Sequence, residues 1–240
     1  MMTQISSFPP FIHPYEDKSH LPEPLADCMS IAVLYVARNC DTRSFLWKAI
    51  QEEQERNIRQ KQVENYTKHE VLAALQAEIL YIVMRVVDSE GMSAEDREYN
   101  LEMILAYSAF WKLFMLIADN PCTLDSSKSV SWEDWILNEF CTRVACVWFL
   151  IAQTACVKVG IGCYVLESWK GLPLPCRTGQ WAASTQEAWR EEIISLSYSQ
   201  NSSHQIISSF GELLESEKLD TWNSGADNVG NLLNLATTIT

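Results

Sequence analysis

Apolar residues recur at spacings of three and four through most of the 240-residue chain, a period that predicts helices rather than strands. Residues 25–38 carry Leu25, Met29, Ala32, Val33 and Val36 near that spacing. Asp41 or Thr42 is placed to cap a second helix from Arg43, with Phe45, Leu46 and Ile50 as its apolar positions. That helix runs on into QEEQERNIRQKQ at 51–62, polar on nearly every side. This stretch reads as a solvated extension, with Glu52 and Glu53 as surface charge. The clearest apolar face belongs to Leu72, Leu75, Ile79, Ile82 and Val86. Ser93-Ala94-Glu95-Asp96 resembles a helix start, its acids complementing the dipole. The helix it opens is expected to reach about Ala118, before Asn120-Pro121. From Leu101 onward it is apolar nearly all round, with Phe110, Trp111 and Phe114, and that pattern predicts burial.

Ser131-Trp132-Glu133-Asp134 looks like another helix start, followed at helical spacing by Trp132, Ile136, Phe140, Val144, Val147 and Ile151. Glu139 and Arg143, four apart, are expected to pair along it. Gly160 and Gly162 loosen its end, and residues 171–175, GLPLP, read as a turn with extended residues. Ser184-Thr185-Gln186-Glu187 has the form of a capping box ahead of Trp189, Ile193 and Leu196. Weaker helical stretches are expected at 205–218 and 221–236. No alternating pattern of strand length is present, and no repeat at solenoid periods. The expected fold is all-α, an irregular multi-helix domain of about seven to eight helices. A Pro-rich segment at 1–24 leads into one helical domain at 25–240.

Charge narrows the function classes. With 18 Lys+Arg against 31 Asp+Glu the net charge is -13, which disfavours a surface that attracts nucleic-acid phosphates. Basic residues cluster only at Arg56, Arg59 and Lys61, among cancelling acids. Residues 144–166 mimic a membrane span, but the uninterrupted apolar run ends at Ala152, and Gln153, Thr154 and Lys158 follow. A buried core helix is the expectation there, with no membrane association. The residues MMTQISSFPPF at 1–11 have neither the basic nor the apolar region of a secretory signal. The eight cysteines are therefore read as reduced and intracellular, and Asn65-Tyr66-Thr67 and Asn201-Ser202-Ser203 as accidental matches to the glycosylation pattern.

Candidate chemistry is sparse. Cys141 and Cys146 lie within the looser zinc-ligand spacing but lack a second pair. His13 and His20, near Glu16 and Asp17, fit no closed ligand set and read as solvated loop residues. Cys156 and Cys163, seven apart, read as packing. Gly160-x-Gly162 lacks the third glycine and the preceding strand of a dinucleotide loop. The nine tryptophans fall mostly on apolar faces and read first as core. Arg85 is either a charge buried for function or, the favoured reading, a partner of Asp88 or a side chain that extends its head to water. No catalytic residue, no cofactor-binding residue and no metal ligand is assigned, and no cofactor is expected.

Six stretches in order carry a resemblance. They are PPFIHP at 9–14, LPEPLADCMSIA at 21–32, LQAEILYIVMRVVD at 75–88, SWEDWILNEFCTRV at 131–144, LPLPCRTGQWAASTQEAW at 172–189 and LDTWNSGADNVGNLLNLA at 219–236. Their order resembles the C-terminal regulatory region of fungal transcription factors of the six-cysteine zinc-cluster family. Members of that family bind DNA through an N-terminal cluster with two close-spaced cysteine pairs. Nothing before Pro9 here has that form, so the chain reads as the regulatory region without its DNA reader. The resemblance implies a nuclear transcription regulator, often of a metabolic or secondary-metabolite gene cluster, that works through protein partners of the transcription machinery and reaches DNA indirectly. The alternatives are a small helical enzyme of a biosynthetic cluster and a truncated remnant.

Overall fold

A computed structural model describes residues 9–13, 21–63, 67–88, 94–117, 131–159, 169–199, 209–215 and 219–237. Its described residues are helical, with one isolated antiparallel bridge between Pro173 and Ser209 and no named strand. The fold is all-α. The chain divides into two compact units, one of Met1–Pro9 and Asp17–Asn120, the other of Pro10–Glu16 and Pro121–Thr240.

The first unit contains α1 (Glu23–Ala37), α2 (Arg43–Val63), α3 (Lys68–Val87) and α4 (Ala94–Ile117). Helix α3 lies against each of the other three. Thr67 caps it: the side chain accepts from the Glu70 N–H, and the Glu70 carboxylate accepts from the Thr67 N–H at 2.8 Å. Both orphan donors of the first turn are thus satisfied. From Val71 to Ile82 every α3 side chain is buried, since neighbours approach it on all sides. The turn between α1 and α2 is organised by Asn39, whose Oδ1 accepts from the Asp41 and Thr42 N–H groups at 3.0 Å. Asn39 performs the local hydrogen bonding expected of Asp41 or Thr42.

Three expectations fail in this unit. Val33 and Val36 are exposed, because α1 turns the face of Leu25, Cys28, Ile31 and Ala32 inward, and on α2 Phe45 is exposed while Leu46 and Ile50 are buried. The polar extension of α2 is only half solvated: Glu53, Gln54 and Asn57 are buried, while Glu52 stays exposed. On α4, Met103, Ala106, Tyr107, Phe110 and Phe114 are buried, but Leu101, Ile104, Leu105 and Leu116 face solvent. All-round apolarity did not bring all-round burial.

The second unit contains α5 (Trp132–Val159), α6 (Thr178–Ala182), α7 (Gln186–Ser199), α8 (Phe210–Glu215), α9 (Leu219–Asn223) and α10 (Asn228–Thr237). Helix α5 starts where its sequence places it, with the Ser131 hydroxyl accepting from the Asp134 N–H at 3.1 Å. A core of Cys146, Phe149, Leu172, Phe210, Val229, Leu233 and Ala236 joins α5 to α8 and α10. Full burial of each large apolar side chain there is worth about 1.5–3 kcal/mol. The segment at 170–172 holds α8 through Phe210 N–H to Leu172 O and Gly211 N–H to Lys170 O, both 2.8 Å. On α10, a Cβ at Gly230 would meet the Ala226 methyl at 2.7 Å and the Trp222 ring at 3.0 Å, so glycine permits that close approach.

Two local details differ from expectation. Thr185, not Ser184, caps α7, and it accepts from the Ala188 N–H at 3.2 Å, so Glu187 does not close a box. The two weak C-terminal stretches become three shorter helices, with turn residues Ser224 and Gly225 separating α9 from α10. Helices α4 (residues 100–117) and α5 (residues 132–154) are long and apolar enough to cross a membrane by length and composition. The α5 window is mostly buried and the α4 window mostly is not.

Candidate functional site

A polar cluster lies between α1, α2 and α3. Gln54 Nε2 donates to Glu78 Oε2 at 2.6 Å, and Asn57 Nδ2 donates to Glu53 Oε1 at 3.1 Å. Arg56 pairs with Glu53 and with Asp27 of α1. Burial pushes the Glu78 carboxyl up to about 8, with the Gln54 hydrogen bond opposing and the Glu53 charge adding. Glu78 is therefore a neutral acid at neutral pH. Burial likewise raises Glu53, while Arg56 pulls it back. The Cys28 thiol donates to Ala77 O at 3.9 Å, and burial raises it far above the range in which a thiolate forms. Glu78 is 1% exposed, and its bond with Gln54 joins α3 to α2.

Asp88 closes α3. Its carboxylate accepts from Arg38 Nε at 3.2 Å, Arg43 Nε at 2.7 Å and Trp47 Nε1 at 3.2 Å, and these partners hold it below the usual carboxylate range against the cost of burial. Arg85 does not join them. It is buried, donates to Asn100 Oδ1 at 2.7 Å and lies over the Trp47 ring at 4.7 Å. The expected Arg85–Asp88 pair gives way because Arg38 and Arg43 saturate Asp88.

In the second unit Arg143 is fully buried. Its Nε donates to Glu139 Oε1 at 2.8 Å and its Nη1 to Pro10 O at 2.8 Å. Nη1 also reaches Asp227, whose other oxygen accepts from the Val229 N–H at 3.0 Å at the start of α10. The guanidinium lies 3.9 Å over the Trp181 ring, and Glu139 accepts from the Cys176 N–H at 2.9 Å. One cation thus joins α5, residues 9–13, the 174–177 segment, α6 and α10. The Glu139–Arg143 pair was legible from its spacing. Its partners at Pro10 and Asp227 were not, since they lie 133 and 84 residues away.

His13 is buried, not solvated. Its ring meets Trp181 edge-on at 4.7 Å and Trp132 at 6.2 Å. Burial and the Arg143 charge lower its pKa to about 4, which keeps the imidazole neutral. Among the described residues no group of three His, Cys, Asp or Glu is placed to hold a metal. Cys141 and Cys146 are both buried, with Cys146 donating to Pro173 O at 3.7 Å, and His69 is exposed. Glu16, Asp17, His20, Cys122, Gly160, Gly162, Cys163 and His204 lie outside the described residues. Of the tryptophans read as core, Trp181 and Trp189 are buried, whereas Trp47, Trp111, Trp132, Trp135, Trp148, Trp169 and Trp222 are half-buried.

Among the described residues a groove of about 310 Å³ lies between α2 and α4. Gln51, Gln54, Glu55 and Ile58 form its α2 wall. Glu102, Leu105, Ala106 and Ala109 form the other. Leu101 and Ile104 on the same turns of α4 are exposed. Periodicity held no sign of it, because a helix apolar on all sides looks like core. The perturbed groups described above, Glu78, Cys28 and His13, are buried and do not line the groove.

The chain is similar to the transcription factor gsfR2 of Penicillium aethiopicum, with 22% identity over 191 residues. The match covers 75% of this chain and 44% of that protein, so the chain spans less than half the length of that relative. No family model matches the chain, and no solved structure matches it.

Proposed function

We propose that this chain regulates transcription in the nucleus, without enzymatic activity, through contacts with other proteins. In this reading residues 25–240 act as the regulatory region, and the genes controlled belong to a metabolic or secondary-metabolite cluster. The observation that carries the reading is the similarity to a fungal transcription factor over 191 residues. The chemistry agrees with it. The buried groups with shifted protonation, Glu78, His13 and Cys28, are locked among helices, whereas the accessible features are apolar helix faces suited to partner docking.

Fusion of residues 1–240 to an unrelated DNA-binding domain tests the proposal in a fungal host carrying the matching reporter. The expected result is a change in reporter output of about threefold or more, in either direction. A reporter left unmoved by a fusion that is folded and nuclear overturns it.

A further inference from the structure

We infer that the α2–α4 groove is the docking site for a cationic amphipathic helix of a partner protein. This inference deepens the regulatory reading and rests on it for its setting.

The shape comes first. On α2 the wall positions 51, 54, 55 and 58 fall on one helical face, and on α4 so do 102, 105, 106 and 109. Each wall is thus about two turns, or ~10 Å, long. Ala106 and Ala109 leave the room between the walls that larger side chains would fill. Two turns of a helix presenting apolar residues at i, i+3 or i+4, and i+7 fit such a trough. Leu101, Ile104 and Leu105 are 58%, 45% and 59% exposed and extend the apolar contact along α4. The amide of Gln54 at the base is committed to Glu78 at 2.6 Å, so that donor is already satisfied.

Charge then selects the occupant. Glu55 stands on the α2 side and Glu102 on the α4 side. Glu102 has no ion-pair partner among the described residues, and Glu55 has only the exposed Arg59 at 3.7 Å, a pairing that solvent screens. Exposed Glu52, one turn before Glu55, pairs with exposed Lys48 at 3.8 Å and adds no net charge to this side. The neighbouring cation, Arg56, is held by Glu53 and Asp27 and does not neutralise this side. Each wall thus presents an exposed carboxylate with no buried cation against it, Glu55 on one and Glu102 on the other, and the chain as a whole carries -13. A second copy would bring acid against acid, and an anionic lipid surface would be repelled in the same way. A helix with lysine or arginine flanking its apolar stripe gains from both rims and from the trough.

The test uses the full 240-residue chain and a labelled helix of about 18 leucine and lysine residues with the leucines on one face. Its control has every lysine replaced by glutamate. The lysine helix is expected to bind about tenfold more tightly than the glutamate helix, or better. Glu55→Lys with Glu102→Lys should weaken it about tenfold, and so should Leu105→Ser alone. Leu116→Ser, on the same helix but outside the groove, should leave binding unchanged, with helical circular dichroism confirming that each variant is folded. Equal binding of both helices overturns the inference, as does wild-type affinity in the groove variants. Self-association abolished by Leu105→Ser would assign the groove to a second copy, and phosphatidylserine-vesicle binding lost in that variant would assign it to a membrane. Either result also overturns the inference. Because this readout is contact in solution, it fails independently of the reporter.

Discussion

Glu78 shows how one buried acid sets a pH response. Its carboxyl is held at about 8 against an ordinary value of 4.5 by burial, so the folded chain binds a proton that the unfolded chain releases between those values. The stability this supplies is complete below 4.5 and is lost as pH rises toward 8, by at most ~1.4 kcal/mol per pH unit. His13 has the opposite sign: its value is lowered from 6.5 to about 4, so its contribution is lost as pH falls through that window. The two responses are separated by substitution. Glu78→Gln keeps a neutral hydrogen-bonding group beside Gln54 and carries no charge in either state. Urea unfolding should find the variant more stable than the parent near pH 8, with the difference shrinking toward pH 5. Parallel stability curves for the two proteins would show that Glu78 is ionised in the fold.

At the scale of elements, Arg143 does what no single helix propensity could. Helix α5 presents it just before the apolar run at 144–152, and its fully buried head meets Glu139 of the same helix, Pro10 O and Asp227 at the start of α10. A buried cation is tolerated only when fully paired. Arg143→Met would leave Glu139 and Asp227 without their cation, at a cost of about 3–5 kcal/mol. Thermal or urea unfolding should record that loss. Adding Glu139→Gln should recover part of it, because the amide removes one of the stranded charges. A loss below about 0.5 kcal/mol would mean that water reaches the site. The helix starts were more legible than this hub: Ser131 caps α5 as its sequence suggests, since a cap involves only residues three apart. The α7 start was misplaced by one residue for the same local reason, two adjacent hydroxyl residues being equally suited to the position.

For the whole molecule, charge governs which large partners are accessible. The excess of 13 negative charges repels phosphates, and few cations are free to displace their counterions. Pairing reduces their number further: Arg56 is held by Glu53 and Asp27. The purified chain should therefore not bind duplex DNA. Fluorescence anisotropy with a labelled duplex at low salt measures this, and tight, sequence-specific binding would contradict it. The same charge makes a cationic partner favourable at the α2–α4 groove.

Local pattern was enough to specify the all-α class, the main helices and the Glu139–Arg143 pair. Each depends on neighbours within a turn or two, because helical period and capping are local properties. Packing chose which faces are covered. Periodicity identifies an apolar face but not whether another element lies over it, so Leu101, Ile104 and Leu105 of α4 looked like core and are exposed. The converse holds for Glu53, Gln54 and Asn57. Their polarity predicted solvent, yet Gln54 donates to Glu78 of α3, Asn57 donates to Glu53, and Glu53 pairs with Arg56, partners that make burial tolerable. The groove, like the Arg143 hub, exists only where separate helices meet, and their meeting is a property of the packed chain.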